Sequence, residues 1–491
     1  MRPSVPLRTA LGDPQLLGSV LAGDSWAAWR CLLIAAQGEA LTDDERAIFT
    51  SLTRRAREPL QRVEELAAVV GRRGGKSRAM ATLACYLAGL CSHDLVRGET
   101  GILLCIAPDQ RQAGIVLGYA EAALEQSPIL RQLISGRSND ALTLTNGINI
   151  EVRASSFRRL RGPTYVAVIA DEAAFWYSDE FSANADAEIL NAVRPGLATT
   201  GGPLIIASSP YAKRGVLYET HKRHYGNHGD PLILVAQGTS REFNPSLAQS
   251  VVDRALERDH AAASAEYLAE FRSDIESFVS REAVEACITL GVRERASLPD
   301  IRYAAFTDPS GGSADSFTLA IGHRQDDVVV VDAVREVRPP FSPENVVGEF
   351  CALLKSYRIS SVQGDKYAGI WPVEQFARHE IKYEQSAKPK SELYQAVLPR
   401  LNSGTVDLLD HPRAIAQLCS LERRTARGGR DSIDHAPGAH DDLANAVAGV
   451  VATLVTAQSY DSSLDWISGP DVDARDAWQA LRLWDHIRRY G

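Results

Sequence analysis

The chain has 491 residues, of which 45% are apolar and 23% charged, and its formal net charge is −9. This length exceeds one typical core, so two or three domains are expected. The acidic balance argues against bulk nonspecific binding to nucleic acid, although it leaves a local basic groove open. The seven scattered cysteines form no CxxC pair, which argues against a zinc ribbon or a disulfide framework and predicts a reducing compartment. No signal-peptide pattern and no apolar run of membrane-spanning length is present, so no membrane association is expected.

Residues 1–60 are expected to form a helical segment that includes the amphipathic stretch Asp43–Arg57. A proline-containing turn, Glu58–Gln61, precedes the first predicted strand. Gln61 could contact the edge of an adenine base there, but a solvated turn explains this residue at least as well.

Lys76 and Ser77 follow a glycine-rich loop, which is the first chemical signal in the chain. The apolar start of Ala68–Ser77 (AVVGRRGGKS) predicts a strand, and the pattern after Lys76 predicts a helix. In a loop of this kind, backbone N–H groups and the helix N-terminus bind phosphate oxygens. Lys76 would reach the terminal phosphates of ATP, and the Ser77 hydroxyl would bind Mg²⁺.

The loop departs from the usual phosphate-binding spacing. That pattern has a glycine, four free positions and then Gly-Lys-Ser or Gly-Lys-Thr. Here Val70 holds the place of the first glycine, and Gly71 comes one residue late. An ordinary glycine-rich turn before a helix is the alternative interpretation. The candidate nucleotide-binding residues of the loop are Gly71, Arg72, Arg73, Gly74, Gly75, Lys76 and Ser77.

Short apolar runs alternate with helical patterns from Leu66 to about Ala236. This alternation predicts an α/β fold with a mostly parallel sheet that helices cover on both faces. Ligands of such folds bind at the carboxyl ends of strands, where the glycine-rich loop is also expected. The predicted strands are Ala67–Val70, Gly101–Ala107, Ile148–Arg153, Val166–Ala170, Pro203–Ala207 and Leu232–Ala236.

Two carboxylates end the apolar run Tyr165–Glu172 (YVAVIADE). Asp171 can hold the water shell of Mg²⁺, and Glu172 can orient and deprotonate the water that attacks the phosphoryl group. The alternative is that both residues cap the following helix. Together with the glycine-rich loop, this pair predicts an ATPase.

Three arginines precede this strand in Ser155–Gly162 (SSFRRLRG). Arg161 is our candidate for an arginine that offsets charge on the transferring phosphoryl group of a neighbouring subunit. Arg158 and Arg159 could contact DNA or be surface charge. The run Ser208–Pro210 at the end of a later strand could sense the γ-phosphate, although it also fits a turn.

The second half of the chain begins with the charged helical stretch 241–297, which has no recognisable chemistry and is interpreted as a linker subdomain. A second α/β unit is expected from about Ile301. Its predicted elements are the strands Tyr303–Asp308, Phe317–His323, Val328–Val337 and Ser360–Asp365 and the helix Pro343–Tyr357.

Four aspartates lie at element ends in this second unit. Asp308 and Asp365 end predicted strands, while Asp441 and Asp442 begin an apolar helix within Ile433–Val450. Clustered carboxylates repel one another unless cations neutralise them, so their convergence would imply divalent metals. Two Mg²⁺ or Mn²⁺ ions about 3.5–4 Å apart would support phosphodiester cleavage. Each aspartate alone also fits a cap or a turn.

The arginine-rich stretch Arg423–Arg430 (RRTARGGR) suits a loop that grips DNA phosphates beside these metals. A solvated loop is the alternative. The tail 458–491 is expected to contain a linker and a short amphipathic helix.

In this order, the motifs resemble the large terminase subunit of tailed bacteriophages, prophages and gene-transfer particles. The resemblance covers roughly residues 60–455. The motifs that carry it are GRRGGKS (71–77), SSFRRLRG (155–162), VIADEAAFW (168–176), ASSP (207–210), SAEYLAEF (264–271), DPSGGSADSF (308–317), GDKY (364–367) and IDHAPGAHDDLANA (433–446).

The resemblance implies two catalytic domains, an N-terminal P-loop (RecA/ASCE-like) ATPase and a C-terminal ribonuclease H-like nuclease. The first would drive double-stranded DNA into procapsids through the portal protein, and the second would cut concatemeric DNA. The resemblance further implies a homo-oligomeric ring, expected to be a pentamer, and a small terminase subunit as a partner. It also implies that the protein works in the cytoplasm of a bacterial host and resides transiently at the procapsid portal vertex. The implied segments are 1–60 (helical), 61–240 (ATPase), 241–297 (linker), 298–457 (nuclease) and 458–491 (tail).

The resemblance also implies roles for single residues. Lys76, Ser77, Asp171 and Glu172 take the ATPase roles. Arg72 resembles the loop arginine that contacts the γ-phosphate, and Arg161 the arginine supplied in trans. The metal positions fall on Asp308, Asp365 and Asp441 or Asp442.

Two other functions compete with this one. An ATP-dependent helicase with an accessory nuclease should contain a second RecA-like domain. A non-catalytic scaffold with a relic loop should not have kept Lys76 and Glu172.

Overall fold

The computed structural model describes residues 1–155, 160–176, 185–226, 229–313, 315–365, 370–425, 431–436 and 439–464. The chain divides into two compact units. The first is Met1–Glu276 with Arg424–Arg430, and the second is Ser277–Arg423 with Asp431–Gly491. The predicted residues Arg158 and Arg159, residues 426–430 of the arginine-rich loop, and the tail beyond Leu464 lie outside the described residues.

The first unit is an α/β unit. Its strands are β1 (Arg2–Pro3), β2 (Glu65–Val70), β3 (Cys91–Ser92), β4 (Gly101–Ala107), β5 (Ile134–Arg137), β6 (Ala141–Leu144), β7 (Ile148–Ala154), β8 (Tyr165–Asp171), β9 (Leu204–Ser208), β10 (Ile233–Gly238) and β11 (Ile275–Ser277). Its helices are α1 (Leu7–Gly12), α2 (Ala27–Ala36), α3 (Asp43–Thr53), α4 (Lys76–Gly89), α5 (Gln110–Gln126), α6 (Ala185–Ala198), α7 (Gly215–His224), α8 (Ser240–Phe243), α9 (Gln249–Arg258) and α10 (His260–Leu268).

An eight-stranded sheet forms the core of this unit in the order β10-β2-β9-β8-β4-β7-β6-β5. Neighbours from β10 to β7 pair in parallel, and β6 and β5 continue the sheet antiparallel. All seven residues of β8 are buried, as its unbroken apolar sequence predicts for a strand covered on both faces. The predicted, mostly parallel α/β sheet is confirmed. The antiparallel edge strands β5 and β6 were not predicted, because they are short and half-exposed.

The strand order places three predicted chemical segments at one edge of the sheet. β9 lies between β2 and β8, with Val69 paired to Ser208 and Asp171 paired to Ala207. Because these strands are parallel, their carboxyl ends lie side by side. The glycine-rich loop, the Asp171–Glu172 pair and Ser208–Ser209 therefore follow adjacent strands.

The second unit is also built on a mixed sheet. Its strands are β12 (Ile288–Thr289), β13 (Tyr303–Asp308), β14 (Phe317–Gln325), β15 (Val328–Val337), β16 (Ser361–Gly364), β17 (Lys382–Gln385), β18 (Val406–Leu409), β19 (Leu421–Thr425) and β20 (Asp431–His435). Its helices are α11 (Arg281–Glu285), α12 (Pro343–Ser356), α13 (Trp371–Arg378), α14 (Lys390–Ser403), α15 (Pro412–Ser420) and α16 (Asp442–Leu464).

The sheet order in this unit is β12-β18-β15-β14-β13-β16-β17. β13, β14 and β15 are antiparallel neighbours, while β16 and β17 continue parallel to β13. This order confirms the predicted ribonuclease H-like sheet. Thr307 of β13 pairs with Gly364 of β16, so Asp308 and Asp365 both lie one residue further along at the same edge.

Helix α16 packs directly on β13 because Gly449 leaves room for an aromatic ring. A Cβ atom added at Gly449 would overlap the Phe306 ring. Gly449 thus brings the helix close enough for its first turn to meet the end of β13.

All seven cysteines are buried and unpaired. Among the described residues, no helix combines the length and apolarity that crossing a membrane requires.

We predict that Gly449→Ala separates α16 from β13. Since the added methyl group overlaps Phe306, the free energy of unfolding should fall by about 1–3 kcal/mol, measured by urea denaturation followed by circular dichroism. Gly348→Ala in α12 is the matched control, because its nearest neighbouring atom would be at an ordinary 3.7 Å. Equal stability of the two variants would contradict this account of the packing.

Candidate active sites

The glycines of the loop between β2 and α4 allow contacts that no side chain would permit. Gly75 has a φ of 84°, which L-residues rarely adopt. A Cβ atom at Gly74 would lie 2.6 Å from Val70 Cγ1, and one at Gly71 would overlap Ser240 Oγ. Gly71 comes one residue later than the first glycine of the usual loop pattern. A glycine is needed at this position because α8 approaches the backbone so closely.

Lys76 is held between the tips of β8 and β9. Its Nζ atom donates to the Val70 carbonyl oxygen at 3.1 Å and to Ser209 Oγ at 2.8 Å. It also forms an ion pair with Glu172 Oε1 at 3.1 Å, and its side chain is only 6% exposed. The structure thus brings together the predicted phosphate-binding lysine and the predicted general base.

Glu172 adopts a backbone conformation that is unusual for a residue with a side chain. Its φ is 51°, and such strain persists only where surrounding contacts fix it. The Ser209 N–H donates to Glu172 Oε2 at 2.9 Å, and Ser208 Oγ lies 3.2 Å from the same atom. The two serines at the tip of β9 therefore fix the carboxylate that faces Lys76.

Asp171 is a buried carboxylate, 1% exposed, and neither of its oxygens accepts a hydrogen bond from the described residues. Burial, with a smaller effect of the Glu172 charge, raises the pKa of Asp171 to about 7, while the Lys76 charge lowers it. Unsatisfied carboxylate oxygens next to a hydroxyl are ligands that suit Mg²⁺. Asp171 and Ser77 thus fit the metal that accompanies a nucleotide.

The arginines of the loop contact the segment after β10. Arg72 Nη1 forms an ion pair with Glu266 Oε1 of α10 at 2.8 Å, and the Arg72 N–H donates to the Glu266 carbonyl oxygen. Asn244 Nδ2 donates to the Arg73 carbonyl oxygen at 2.9 Å, and Ser240 Oγ donates to that of Arg72 at 2.6 Å. The prediction that 241–297 carries no chemistry missed these contacts, since no local pattern marks them.

Two further predicted residues of this site, Gln61 and Arg161, take no part in the contacts of the glycine-rich loop described above. Gln61 is exposed in the turn before β2, and its side chain makes no hydrogen bond to the described residues of the loop. Arg161 is also exposed, which leaves its guanidinium accessible to another molecule.

The second candidate site contains the four predicted aspartates. Burial is the main cause that raises the pKa of Asp308 to about 7. The charges of Asp442, Asp365 and Asp441 raise this pKa further, in decreasing order of effect. Burial and the nearby Asp441 charge likewise raise the pKa of Asp442 to about 6. Asp308 and Asp365 directly follow the paired residues Thr307 and Gly364, and Asn445 near the start of α16 donates to Asp308. The four carboxylates therefore lie near one another at this edge of the sheet.

Hydrogen bonds fix the carboxylates that the strands and α16 supply. Asn445 Nδ2 donates to Asp308 Oδ2 at 2.8 Å, and the Ser316 N–H donates to Asp442 Oδ2 at 3.2 Å. Asn445 is 1% exposed, and its Oδ1 atom has no hydrogen-bond partner among the described residues. This oxygen and the crowded carboxylates fit hard divalent cations, which bind oxygen ligands.

Lys390 places a positive charge beside this cluster. Its Nζ atom lies 2.6 Å from Asp441 Oδ2 and 3.2 Å from Asp434 Oδ1, and Tyr394 OH donates to Asp441 Oδ2 at 2.7 Å. Burial lowers the pKa of Lys390, but the two aspartate charges outweigh this effect and the net pKa is raised. Asp441 is therefore already neutralised, whereas Asp442 is not.

Asp434, His435 and Asp441 also bring three possible metal-ligating atoms within 4.8 Å of one another. Asp434 and His435 belong to the motif IDHAPGAHDDLANA (433–446), in which only Asp441 and Asp442 were predicted to bind metal. The spacing Asp434-His435 just before Asp441-Asp442 was the signal that could have identified them.

A comparison with solved structures finds large terminase proteins of bacteriophages among the similar chains. The HK97 bacteriophage large terminase is 15% identical, with 80% of this chain and 91% of that chain covered and a TM-score of 0.36. The ATPase domain of the Thermus phage P74-26 large terminase is 21% identical, with 43% and 89% covered and a TM-score of 0.32. A large terminase nuclease from a thermophilic phage is 16% identical, with 34% and 94% covered and a TM-score of 0.31.

No protein-family model matches the chain, and no curated protein sequence matches it at a significant level. Because the structural matches have low identities and TM-scores, the function proposed below rests on the two sites themselves.

We predict that divalent metal stabilises the chain more as the pH rises. The folded-state pKa of Asp308 is about 7, above its ordinary value of 3.8, so the stability from its retained proton is lost as the pH rises through 7. Metal requires the ionised form, so binding of Mn²⁺ should tighten by about tenfold between about pH 6 and about pH 8. The measurement is the Mn²⁺-induced shift in melting temperature at both values.

Asp308→Asn should remove most of this pH dependence. Asp300→Asn, at an exposed aspartate of the same unit, should retain it. A Mn²⁺ shift that is equal at both pH values in the unmodified chain would argue against Asp308 as a ligand.

Proposed function

We propose that this chain is a large terminase subunit, which combines an ATP-driven motor for double-stranded viral DNA with a metal-dependent endonuclease. The observation that carries the proposal is the presence of two acidic sites on one chain. One has Lys76 paired with Glu172 beside the buried Asp171. The other has Asp308 with Asp365, Asp441 and Asp442 near it on a ribonuclease H-like sheet.

In the ATPase site, Lys76 would exchange its contact with Glu172 for the terminal phosphates of ATP. This exchange would free Glu172 to accept a proton from the attacking water, at a position fixed by Ser208 and Ser209. Bound Mg²⁺, held by Ser77 and Asp171, would supply positive charge at the β- and γ-phosphates. The backbone N–H groups of Arg73 and Gly75 would bind phosphate oxygens, because those of Gly71, Arg72 and Gly74 already donate to carbonyl oxygens of the chain.

Two arginines would complete this site. Arg72 would contact the γ-phosphate after leaving Glu266, and its exposed guanidinium has room for that change. Arg161 would act on the ATP of a neighbouring subunit in a homo-oligomeric ring, expected to be a pentamer. An exposed arginine next to β8 suits that role.

In the nuclease site, Asp308, Asp365, Asp441 and Asp442 would hold two Mg²⁺ or Mn²⁺ ions. The ions would supply an activated water and stabilise the leaving oxygen of the phosphodiester. Asn445 would orient Asp308, and Lys390 would hold Asp441 in place through their ion pair.

The proposal includes the partners and location that this activity requires. They are double-stranded DNA, the portal protein of the procapsid and a small terminase subunit, in the cytoplasm of a bacterial host and transiently at the portal vertex. No membrane partner is proposed.

The sheet of the second unit argues against the helicase alternative. A second RecA-like domain needs a mostly parallel sheet, whereas β14 runs antiparallel to both β13 and β15, and β13 ends at Asp308. The contact between Lys76 and Glu172 argues against a relic loop in a scaffold protein.

We predict that Lys76→Ala abolishes ATP hydrolysis, because no other described side chain occupies its place between β8 and β9. Glu172→Gln should still bind ATP but hydrolyse it about 10²- to 10⁴-fold more slowly, since the general base is lost. Phosphate release with DNA present is the measurement. Lys222→Ala, at an exposed lysine of the same unit, is the control, and undiminished turnover in Glu172→Gln would exclude Glu172 as the base.

We also predict that the two activities separate by mutation. Asp308→Asn or Asp365→Asn in the full chain should abolish Mn²⁺-dependent cutting of plasmid DNA and leave ATP hydrolysis within about twofold, because the sites use different residues. Lys76→Ala should do the reverse. Persistent cutting by both aspartate variants would refute the nuclease assignment.

A further inference from the structure

Two tryptophans from the N-terminal segment contact the glycine-rich loop. Trp29 in α2 is fully buried, and its Nε1 atom donates to the Gly74 carbonyl oxygen at 2.6 Å. Trp26 lies just before α2, with ring atoms Cζ3 and Cη2 at 2.8 and 2.9 Å from the place of a Cβ atom on Gly75. The glycine is therefore needed for Trp26 to approach the start of α4.

Trp26 differs from Trp29 in its exposure and in its partner. Trp26 is partly exposed, and the Arg78 guanidinium carbon lies 5.1 Å from the centroid of its ring. This is a cation–π contact. Arg78 belongs to the first turn of α4, two residues after Lys76, and it is partly exposed as well.

These contacts indicate where the γ-phosphate and the base of a bound nucleotide would lie. Lys76 Nζ, Glu172 and Ser209 mark the end where the γ-phosphate would lie, at the tips of β8 and β9. Trp26 and Arg78 contact the same turn from another element, the segment leading into α2. The nucleoside of a bound nucleotide extends from the phosphates away from the γ-phosphate end, and Trp26 and Arg78 supply an aromatic and guanidinium surface next to Gly75 on elements other than β8 and β9.

We propose that Trp26 and Arg78 form the surface on which the base of the bound nucleotide stacks. The inference rests on the proposed ATPase function and replaces Gln61 as the base contact. A flat guanidinium supported by an indole ring offers a π-face to any purine. Stacking of this kind supplies affinity with little discrimination, so ATP and GTP depend on Trp26 to a similar extent.

The test separates binding of the base from binding of the phosphates. Calorimetric titration of the full chain with Mg·ADP, Mg·GDP and Mg·pyrophosphate is carried out for the unmodified chain, Trp26→Ala, Trp26→Phe and Gln61→Ala. Trp26→Ala weakens ADP and GDP binding by about 5- to 100-fold and leaves pyrophosphate binding within about twofold. Trp26→Phe restores most of the loss, because a phenyl ring still stacks.

Pyrophosphate binding also reports that the loop of each variant is folded. Leu60→Ala, at a side chain that is 98% exposed, is the control for a change outside the site. Equal weakening of all three ligands, or no weakening, in Trp26→Ala overturns the inference and leaves the ATPase proposal intact. A base-dependent loss confined to Gln61→Ala overturns it too. If the unmodified chain binds none of the three ligands, both proposals fail.

Discussion

Both units depend on carboxylates that water cannot fully hydrate, placed at the carboxyl ends of neighbouring strands. Asp171 in the first unit and Asp308 in the second each have a pKa raised to about 7, with burial as the largest cause. An ionised carboxylate in such a place is costly unless a cation or hydrogen-bond donors compensate for it. Cation binding would remove this cost at both sites, so activity and stability are physically linked.

The Lys76–Glu172 ion pair is the compensation that the first unit carries within its own chain. Removing one partner of a buried pair leaves an uncompensated charge, so the pair keeps Lys76 close to the place where the proposed ATP phosphates would bind. Lys390 has the corresponding position in the second unit, where it neutralises Asp441. In both sites the ammonium group of a lysine side chain lies beside the carboxylates.

The sequence predicts those features that depend on local pattern. Unbroken apolar runs locate β2, β8 and β13, and polar residues at their ends locate Lys76, Asp171 and Asp308. The resemblance of the ordered motifs to one protein family then assigns an ATPase role to the first site and a nuclease role to the second. Contacts between distant segments were beyond this reasoning. Arg72 and Glu266 are 194 residues apart, and Trp26 reaches Gly75 only because α2 folds back on the loop, so neither contact leaves a periodic or spacing signal. For the same reason Lys390 was not predicted beside Asp441.

The central claim is that the four aspartates of the second unit form one metal site. Crystals of the full chain soaked in Mn²⁺ and measured at the manganese absorption edge test it most directly. The account predicts anomalous peaks within bonding distance of Asp308 and of at least one of Asp365, Asp441 and Asp442. Peaks bound elsewhere, with none at Asp308, would contradict it.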